Sequence, residues 1–315
     1  MIPAPDSSGA GCASLRLSHH HHAFDGTSMY TFLSRSIIPI VASVALLAPA
    51  CSWAQQGDLL ARIKDAKQLT VATEARYAPF EYVDAGKIVG YDIDLMNHVL
   101  GKALPGVKLK VSDLPFQGLL PGLDARRFDM ILAAVTVNKD RADHFAFTLP
   151  VADATIGVLL RANEAGSVKS TSDLNGKIAG AQIGSVQTQA LTALDKTLKS
   201  SGGEGLKQIK QYVSYDEAYG DLAAGRIDVV AQSLANIGPL MKSRPGVFAV
   251  MPQTIGPKSY FAWVMRKDSD SGALLRVISD GIAEANRDGT MKKLQLKWFG
   301  TTMDVPADAL PVPSM

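Results

Sequence analysis

The sequence has few chemically reactive side chains. Its cysteines, Cys12 and Cys51, both lie near the N-terminus, so the rest of the chain has no disulfide and no thiol chemistry. After residue 54 the histidines are His98 and His144, and neither has a neighbour at metal-ligand spacing. There is no Gly-x-Ser-x-Gly elbow and no phosphate-binding P-loop. These absences predict no metal, no cofactor and no catalytic residue.

An excess of charge of one sign is also lacking. The formal net charge is only +2, which argues against nucleic acid or an anionic membrane surface as an electrostatic partner. No run of 18 or more apolar residues occurs, so no membrane-spanning helix of ordinary length is expected. A chain of 315 residues with 47% hydrophobic content is long enough for two globular domains.

Residues 1–28 contain four consecutive histidines, His19 to His22, among Pro, Ser and Gly. A histidine run can bind metal, but a misassigned start or a cloning scar explains such a run more often. We therefore set residues 1–28 aside as an extension and interpret Met29 as the natural start.

Residues 29–54 have the layout of a cleavable signal peptide. Arg35 provides positive charge, and an apolar run follows from Ile37 to Ala48. The small residues Ser52 and Ala54 stand at the two positions that a signal peptidase recognises. Cleavage after Ala54 predicts an exported, periplasmic protein. The alternative is lipidation at Cys51, although residues 48–50 are a poor match to a lipoprotein motif.

Strand-like and helical patterns alternate after the signal peptide. We expect strands at 69–73, 109–111, 130–134, 156–160, 177–182, 207–213, 228–231 and 260–265. We expect helices at 92–104, 116–125, after Asn138, and at 186–198, 215–224, 274–287 and 291–298, with Asp92 and Asn138 as N-caps. The alternation, with a break near Pro150, predicts two units of parallel sheet covered by helices. Two such units facing each other form a cleft suited to a small molecule.

Polar side chains follow several of these strands, where open parallel sheets bind ligands. Arg141 is the leading candidate, because a guanidinium can hold a carboxylate with two parallel hydrogen bonds. A cation in the first turn of a helix also opposes the helix dipole, which suggests an anion nearby. The alternative is a solvated arginine paired with Asp140 or Asp143. Thr136 is placed to donate to the same carboxylate, or else it is structural.

Further candidates are less specific. The Gly184-Ser185 turn between a strand and a helix resembles an anion-binding turn. Tyr77 and Phe116 either stack on an apolar part of a ligand or belong to the core. Glu74 either pairs with a ligand ammonium or pairs with a neighbouring base, Arg76 or Lys87.

Five motifs in order resemble the polar amino-acid-binding proteins of bacterial ABC importers, the extracellular solute-binding proteins of family 3. They lie at residues 71–95 (VATEARYAPFE, then VGYDIDL), 116–129 (FQGLLPGL, then FD), 136–148, 173–177 (DLNGK) and 288–300 (DGT, then KWFG). The resemblance covers residues 57–300. It implies an α/β, two-lobed periplasmic-binding-protein fold of type II, in which each lobe is a mostly parallel sheet flanked by helices and a two-stranded hinge joins the lobes.

The resemblance also implies an organisation and a function. Residues 57–150 with 260–305 would form lobe one, and residues 155–256 would form lobe two. The protein would be a monomeric receptor that captures a small carboxylate ligand, most simply an amino acid, between the lobes. It would deliver this ligand to the permease of an ABC transporter.

The resemblance assigns roles to residues already singled out and adds others. Arg141 and Thr136, with the backbone near Ala134, would hold the ligand α-carboxylate. Tyr77 and Phe116 would flank the ligand side chain, and Glu74 would make an acidic contact. The remaining donors would come from lobe two, namely Ser185, Gln187 and Thr188.

One departure bears on the ligand. Ser233, directly after Gln232, stands where family members commonly have an Asp that pairs with the α-ammonium. Either Glu74 takes over that role, or the ligand is a keto or hydroxy acid without an ammonium. Gln182, Gln187 and Gln232 near the cleft predict a neutral polar face, which argues against a strongly cationic ligand.

Two alternatives remain open on the same fold. Periplasmic dehydratases that act on prephenate or arogenate resemble these receptors, and Glu74 would then be a candidate acid. A ligand-binding subunit of a sensor is the other alternative.

Overall fold

The computed structural model describes residues 58–312, so the predicted extension and signal peptide lie outside the described residues. The α-helices of this part are α1 (Leu59–Ala66), α2 (Tyr91–Ala103), α3 (Leu119–Asp124), α4 (Lys139–His144), α5 (Val186–Ser200), α6 (Tyr215–Ala223), α7 (Leu234–Ser243), α8 (Gly272–Arg287) and α9 (Thr290–Phe299). Its strands are β1 (Gln68–Thr73), β2 (Arg76–Tyr77), β3 (Glu81–Asp84), β4 (Lys87–Val89), β5 (Lys108–Asp113), β6 (Met130–Thr136), β7 (Phe145–Phe147), β8 (Ala152–Asp153), β9 (Ile156–Arg161), β10 (Ile178–Gln182), β11 (Gln208–Tyr212), β12 (Val229–Ser233), β13 (Phe248–Val250) and β14 (Tyr260–Arg266).

The first sheet has the strand order β5-β1-β6-β14-β7, with β8 also paired to β14. Strands β5, β1 and β6 run parallel, whereas β14 runs antiparallel to its neighbours. Alternate residues of β6 belong to different hydrophobic clusters: Met130 and Leu132 pack in one, Ile131 and Ala133 in another. Because side chains alternate across a strand, the sheet is covered on both faces.

The second sheet repeats this plan, with the order β11-β10-β12-β9-β13. Strands β11, β10 and β12 run parallel, and β9 runs antiparallel to β12 and β13. The predicted α/β class is confirmed, but both sheets are mixed. The antiparallel strands β9 and β14 come directly after the points where the chain passes from one sheet to the other.

Several elements were not predicted from the sequence. They are α1, α7 and the short strands, including the three-stranded sheet β2-β3-β4. Helix α7 contains Pro239, which is unfavourable inside a helix, so its sequence does not indicate helix. The short strands have two to four residues, too few to show a period.

Two local predictions are wrong. Asp92 does not cap α2, because the helix begins at Tyr91 and Asp92 is fully buried in its first turn. The preceding Gly90 has φ 139°, and a Cβ there would lie 2.1 Å from the carbonyl oxygen of Phe80, so only glycine fits. Strand β12 runs on through Ser233, so Gln232 and Ser233 belong to the strand rather than following it.

No helix within residues 58–312 combines the length and apolarity needed to cross a bilayer.

Candidate ligand-binding site

A small cavity lies where the carboxyl ends of the two sheets face each other. Each sheet has a pair of adjacent parallel strands, β1 with β6 in the first and β10 with β12 in the second. The residues that follow the two strands of a pair therefore lie at the same edge of the sheet. The empty space of the cavity, counted together with the solvent at its mouth, is about 290 Å³. Its lining comes from both sheets and comprises Glu74, Tyr77, Glu81, Phe116, Ala134, Thr136, Gln182, Ser185, Val186, Gln187, Tyr215 and Phe261. Most of the residues proposed from the sequence are therefore together; Arg141, Thr188, Gln232 and Ser233 lie outside the lining.

Arg141 does not line the cavity but contacts two residues that do, Thr136 and Phe116, and it is 8% exposed. Its Nη1 donates to the Thr136 carbonyl at 2.7 Å, and its Nη2 donates to the Gly184 carbonyl at 3.0 Å. The guanidinium carbon is 5.6 Å from the centroid of the Phe116 ring. The predicted cap of this helix is confirmed, since the Asn138 side chain accepts from the Arg141 amide at 3.0 Å.

The charge of Arg141 has no acidic partner among the described residues. The alternative pairing is not observed, because Asp143 pairs instead with Lys139 at 2.6 Å. Burial lowers the pKa of Arg141 to about 10, so the guanidinium remains charged at neutral pH. A guanidinium has five N–H donors, and a buried one without a counter-charge is suited to bind an anion.

Glu74 lines the cavity and is 2% exposed. Gln182 Nε2 donates to Glu74 Oε1 at 2.6 Å and to the Val213 carbonyl at 3.0 Å. Neither of the bases considered from the sequence pairs with Glu74; Arg76 forms its ion pair with Asp113 at 3.5 Å. Burial raises the pKa of Glu74 to about 8, so its carboxyl is largely protonated at pH 7.

The turn that begins α5 uses its hydroxyl groups locally. Ser185 Oγ donates to the Gln182 carbonyl at 2.7 Å and accepts from the Thr188 amide at 3.2 Å, which caps the helix. Thr188 Oγ1 donates to the same carbonyl at 2.8 Å. Gly184 has φ 74°, a conformation that glycine adopts without strain. The turn thereby presents the Gly184 carbonyl to Arg141.

Gln232, in the second sheet, is bonded to Tyr77 of the three-stranded sheet. Its Oε1 accepts from the Tyr77 hydroxyl at 2.8 Å and from the Ser233 amide at 2.7 Å, and its Nε2 donates to the Tyr219 hydroxyl at 2.9 Å. Ser233 Oγ donates to the Asn236 side chain, whose Nδ2 donates to the Ala78 carbonyl at 2.9 Å. Gln232 and Ser233 therefore link the second sheet to the Tyr77–Ala78 segment without lining the cavity.

Glu81 is a cavity residue that the sequence did not reveal. It is 1% exposed, and its Oε2 has no hydrogen-bond partner among the described residues. Burial and the neighbouring Asp92 and Glu74 raise the pKa of Glu81 well above its usual range. Val83, on the same face of β3, is 55% exposed, so no alternation in the sequence marks Glu81 as buried.

A larger, more open depression lies elsewhere, between residues 138–140 and 253–257. Its charged residues, Lys139 and Asp140, are exposed to solvent. Within residues 58–312 no group of His, Cys, Asp and Glu has the arrangement of a metal site. The small cavity is the better candidate, because it alone of the two brings buried ionisable side chains and neutral polar groups together.

Two α/β units with mixed sheets, meeting around a cavity with polar groups from both, define a two-lobed binding protein of the periplasmic type II fold. The chain belongs to the bacterial extracellular solute-binding proteins of family 3, whose family model matches residues 69–301. The predicted fold and family are confirmed.

Individual relatives extend over nearly the same region. The L-cystine-binding protein TcyJ of Escherichia coli K12 is 30% identical over 271 residues, which cover 85% of this chain and 96% of the relative. The structure of an ancestral arginine-binding protein bound to arginine is 30% identical and covers 74% of this chain and 99% of that one, with a TM-score of 0.65. An ancestral amino acid-binding protein, described as a precursor of cyclohexadienyl dehydratase, is 25% identical, covers 76% and 99%, and has a TM-score of 0.67.

Proposed function

We propose that this protein is an extracytoplasmic receptor that captures an α-amino acid with a neutral polar side chain and delivers it to the permease of an ABC importer. The observation that carries the proposal is the combination of buried Glu74 in the wall of one cavity and buried Arg141 in contact with two other residues of that wall, Thr136 and Phe116. A zwitterion has the complementary pair of charges. The names of the relatives, for L-cystine and for arginine, support an amino acid as the ligand class.

The carboxylate end of the ligand is assigned to the Arg141 side. Arg141 is buried, charged and without an acidic partner, and Thr136 and the backbone near Ala134 line the adjacent wall. The ligand carboxylate would replace the neutral Gly184 carbonyl as the partner of the guanidinium. Hydrogen bonds between two charged groups are about twice as strong as neutral ones, which favours this exchange.

The ammonium end is assigned to the Glu74 side. Ser233 provides no negative charge, and its hydroxyl is already bonded to Asn236. Glu74 is placed to accept from an ammonium, which would favour the ionised form of its carboxyl. Gln182 and Gln187 would contact the ligand side chain, and neutral amides suit a polar, uncharged group there.

The lobe boundaries belong to the same proposal: residues 57–150 with 260–305 form one lobe, and residues 155–256 form the other. Support comes from the two passages of the chain between the sheets, which lie side by side. The Ala154 amide donates to the Ser259 carbonyl at 2.9 Å, and Ile156 pairs with Ile255. Such a paired hinge would let the lobes open and close around a ligand.

Export to the periplasm through the signal peptide at residues 29–54 completes the proposal. N-terminal sequencing of the secreted protein is expected to begin at Gln55. A start at a lipid-modified Cys51 would contradict the cleavage site.

The function is tested by a thermal-shift screen of L-amino acids, L-cystine and the matching 2-keto and 2-hydroxy acids. A ligand that binds only the folded protein raises its melting temperature, so an amino acid is expected to give the largest shift. Absence of a shift with every carboxylate would contradict the proposal. Prephenate provides the enzyme control: formation of phenylpyruvate would favour the dehydratase alternative, and none is expected.

A further inference from the structure

A second carboxyl group shares the cavity with Glu74. Glu81, the first residue of β3 in the three-stranded sheet, also lines this cavity. The preceding residue holds this segment firmly, because the Phe80 ring packs against Phe261 with centroids 5.1 Å apart, and Phe261 also lines the cavity. Glu81 therefore faces the cavity from a segment that is fixed by packing.

The carboxyl groups of Glu74, Glu81 and Asp92 are buried together without a cation. None forms an ion pair with Lys or Arg within residues 58–312; Arg76, whose charge acts on Glu74, is paired with Asp113. Carboxylates that share a site of low dielectric cannot all ionise, unless a positive charge joins them. A bound cation would offset that cost.

One carboxyl oxygen of Glu81 and both of Asp92 also lack hydrogen-bond donors within residues 58–312. Buried polar atoms in proteins nearly always have a hydrogen-bond partner. Glu81 Oε2 accepts from no N–H or hydroxyl group among the described residues, and neither does either carboxyl oxygen of Asp92, its hydrogen-bonding neighbour. Asp92 is also buried, but it does not line the cavity.

We propose that Glu81 is a ligand-binding residue whose Oε2 accepts a hydrogen bond from the ligand ammonium, and that it provides the negative charge that Ser233 does not. This inference rests on the proposed function. Glu81 then determines specificity, because a 2-hydroxy acid of the same shape has no positive charge to offer. Asp92, which lies behind Glu81, positions that carboxyl without touching the ligand.

The test compares two ligands in each variant. The tightest-binding member of the proteinogenic L-amino acids and L-cystine is paired with its 2-hydroxy analogue, and both are titrated calorimetrically. Glu81→Gln keeps the shape of the side chain and is expected to reduce the preference for the amino acid at least about tenfold, since a charge-assisted hydrogen bond is lost. Glu81→Asp keeps the charge and is expected to retain part of the preference. Asp221→Asn, which removes a buried carboxyl that does not line the cavity, is the matched control, with a preference changed less than about threefold.

The preference is a ratio measured within one sample, so a fraction of misfolded protein does not affect it. An unchanged preference in Glu81→Gln, with amino acid binding still dependent on Arg141, overturns this inference and leaves the proposed function intact. An equal loss of preference in Asp221→Asn also overturns it, because the effect would then not depend on a carboxyl at the cavity. Absence of amino acid binding in the unaltered protein overturns both.

Discussion

The surroundings of Asp221 and those of Arg141 show two ways of holding a charge away from water. Asp221 is 9% exposed and accepts from Lys210 Nζ at 2.5 Å, Arg226 Nε at 2.5 Å and the Tyr212 hydroxyl at 2.7 Å. Arg141 is about as buried, yet within residues 58–312 its guanidinium contacts only backbone carbonyls and an aromatic ring. These partners hold the pKa of Asp221 well below its usual range, with the Lys210 hydrogen bond as the largest cause.

This difference distinguishes charges that stabilise the fold from charges that are available to bind a ligand. Removing a charge from water is costly, and a counter-charge within the chain offsets the cost on folding. Asp221 has such counter-charges, so its network contributes to stability. Arg141 has none, so the offset is left for a bound anion. The degree of internal pairing, rather than burial alone, therefore marks the candidate site.

The largest expected effect is that of Arg141→Ala. Truncating one partner of a desolvated charge pair costs about 2–5 kcal/mol, which corresponds to roughly 30-fold weaker carboxylate binding or more. Arg141→Lys is expected to restore only part of this, because an ammonium lacks the planar fork of a guanidinium. Calorimetric titration measures both. Affinity near that of the unaltered protein in Arg141→Ala would break the comparison, since Arg141 would then be a structural charge like Asp221.

Glu74→Gln is expected to have the next largest effect, and one that depends on pH. The pKa of Glu74 is raised to about 8, so an ammonium must displace a proton to bind at pH 7. Affinity for an amino acid is therefore expected to rise with pH up to about 8, by at most about tenfold per pH unit, and to level off above. Glu74→Gln is expected to reduce this slope and to weaken binding about tenfold at pH 8.

The same shift predicts the stability of the ligand-free protein. Since the folded-state pKa of Glu74 lies above its ordinary value of 4.5, its contribution to stability is fully present below pH 4.5. That contribution is lost as the pH rises through about 8. Glu74→Gln is thus expected to raise the melting temperature at pH 8 relative to the unaltered protein, and not at pH 4. A pH-independent change in both affinity and melting temperature would contradict the prediction.

Ser233→Asp is expected to change affinity by a smaller amount, in a direction that depends on the ligand. If the ligand has an ammonium, a carboxylate beside the cavity is expected to hold or improve affinity a few-fold, at about 1 kcal/mol or less. A ligand without an ammonium is expected to bind more weakly, because like charges then face each other. Titration of this variant with an amino acid and with its hydroxy analogue separates the cases. Weaker amino acid binding would count against the proposed function.

Asp221→Asn is expected to have the smallest effect on binding and provides the control for the other variants. It removes the charge from the Lys210 and Arg226 network, so the melting temperature is expected to fall while the ligand affinity changes less than about twofold. Because the pKa of Asp221 is depressed in the folded protein, the stabilisation is present above pH 3.8 and is lost as the pH falls further. A difference in melting temperature that persists unchanged at low pH would show that packing, not charge, is responsible.

Much of the fold followed from local patterns. Short-range features include the apolar runs of β1, β6 and β10 and the cap of α4 by Asn138. Each depends on residues that are close together in the sequence. The elements missed, such as α7 with its internal proline, are stabilised by packing rather than by local preference. Tertiary contacts also extended β12 through Ser233, where it pairs with β9.

Residue type and spacing were sufficient to predict the order of strands and helices, the family motifs and Arg141 as the unusual cation. Which polar groups have partners depends instead on the folded arrangement of the chain. This arrangement bonds Gln232 to two tyrosines, turns Ser233 toward Asn236, and buries Glu81 and Glu74 at one cavity. The reason is physical: burial, dielectric environment and counter-charges arise from residues far apart in the chain, and they set whether a carboxyl is ionised or neutral.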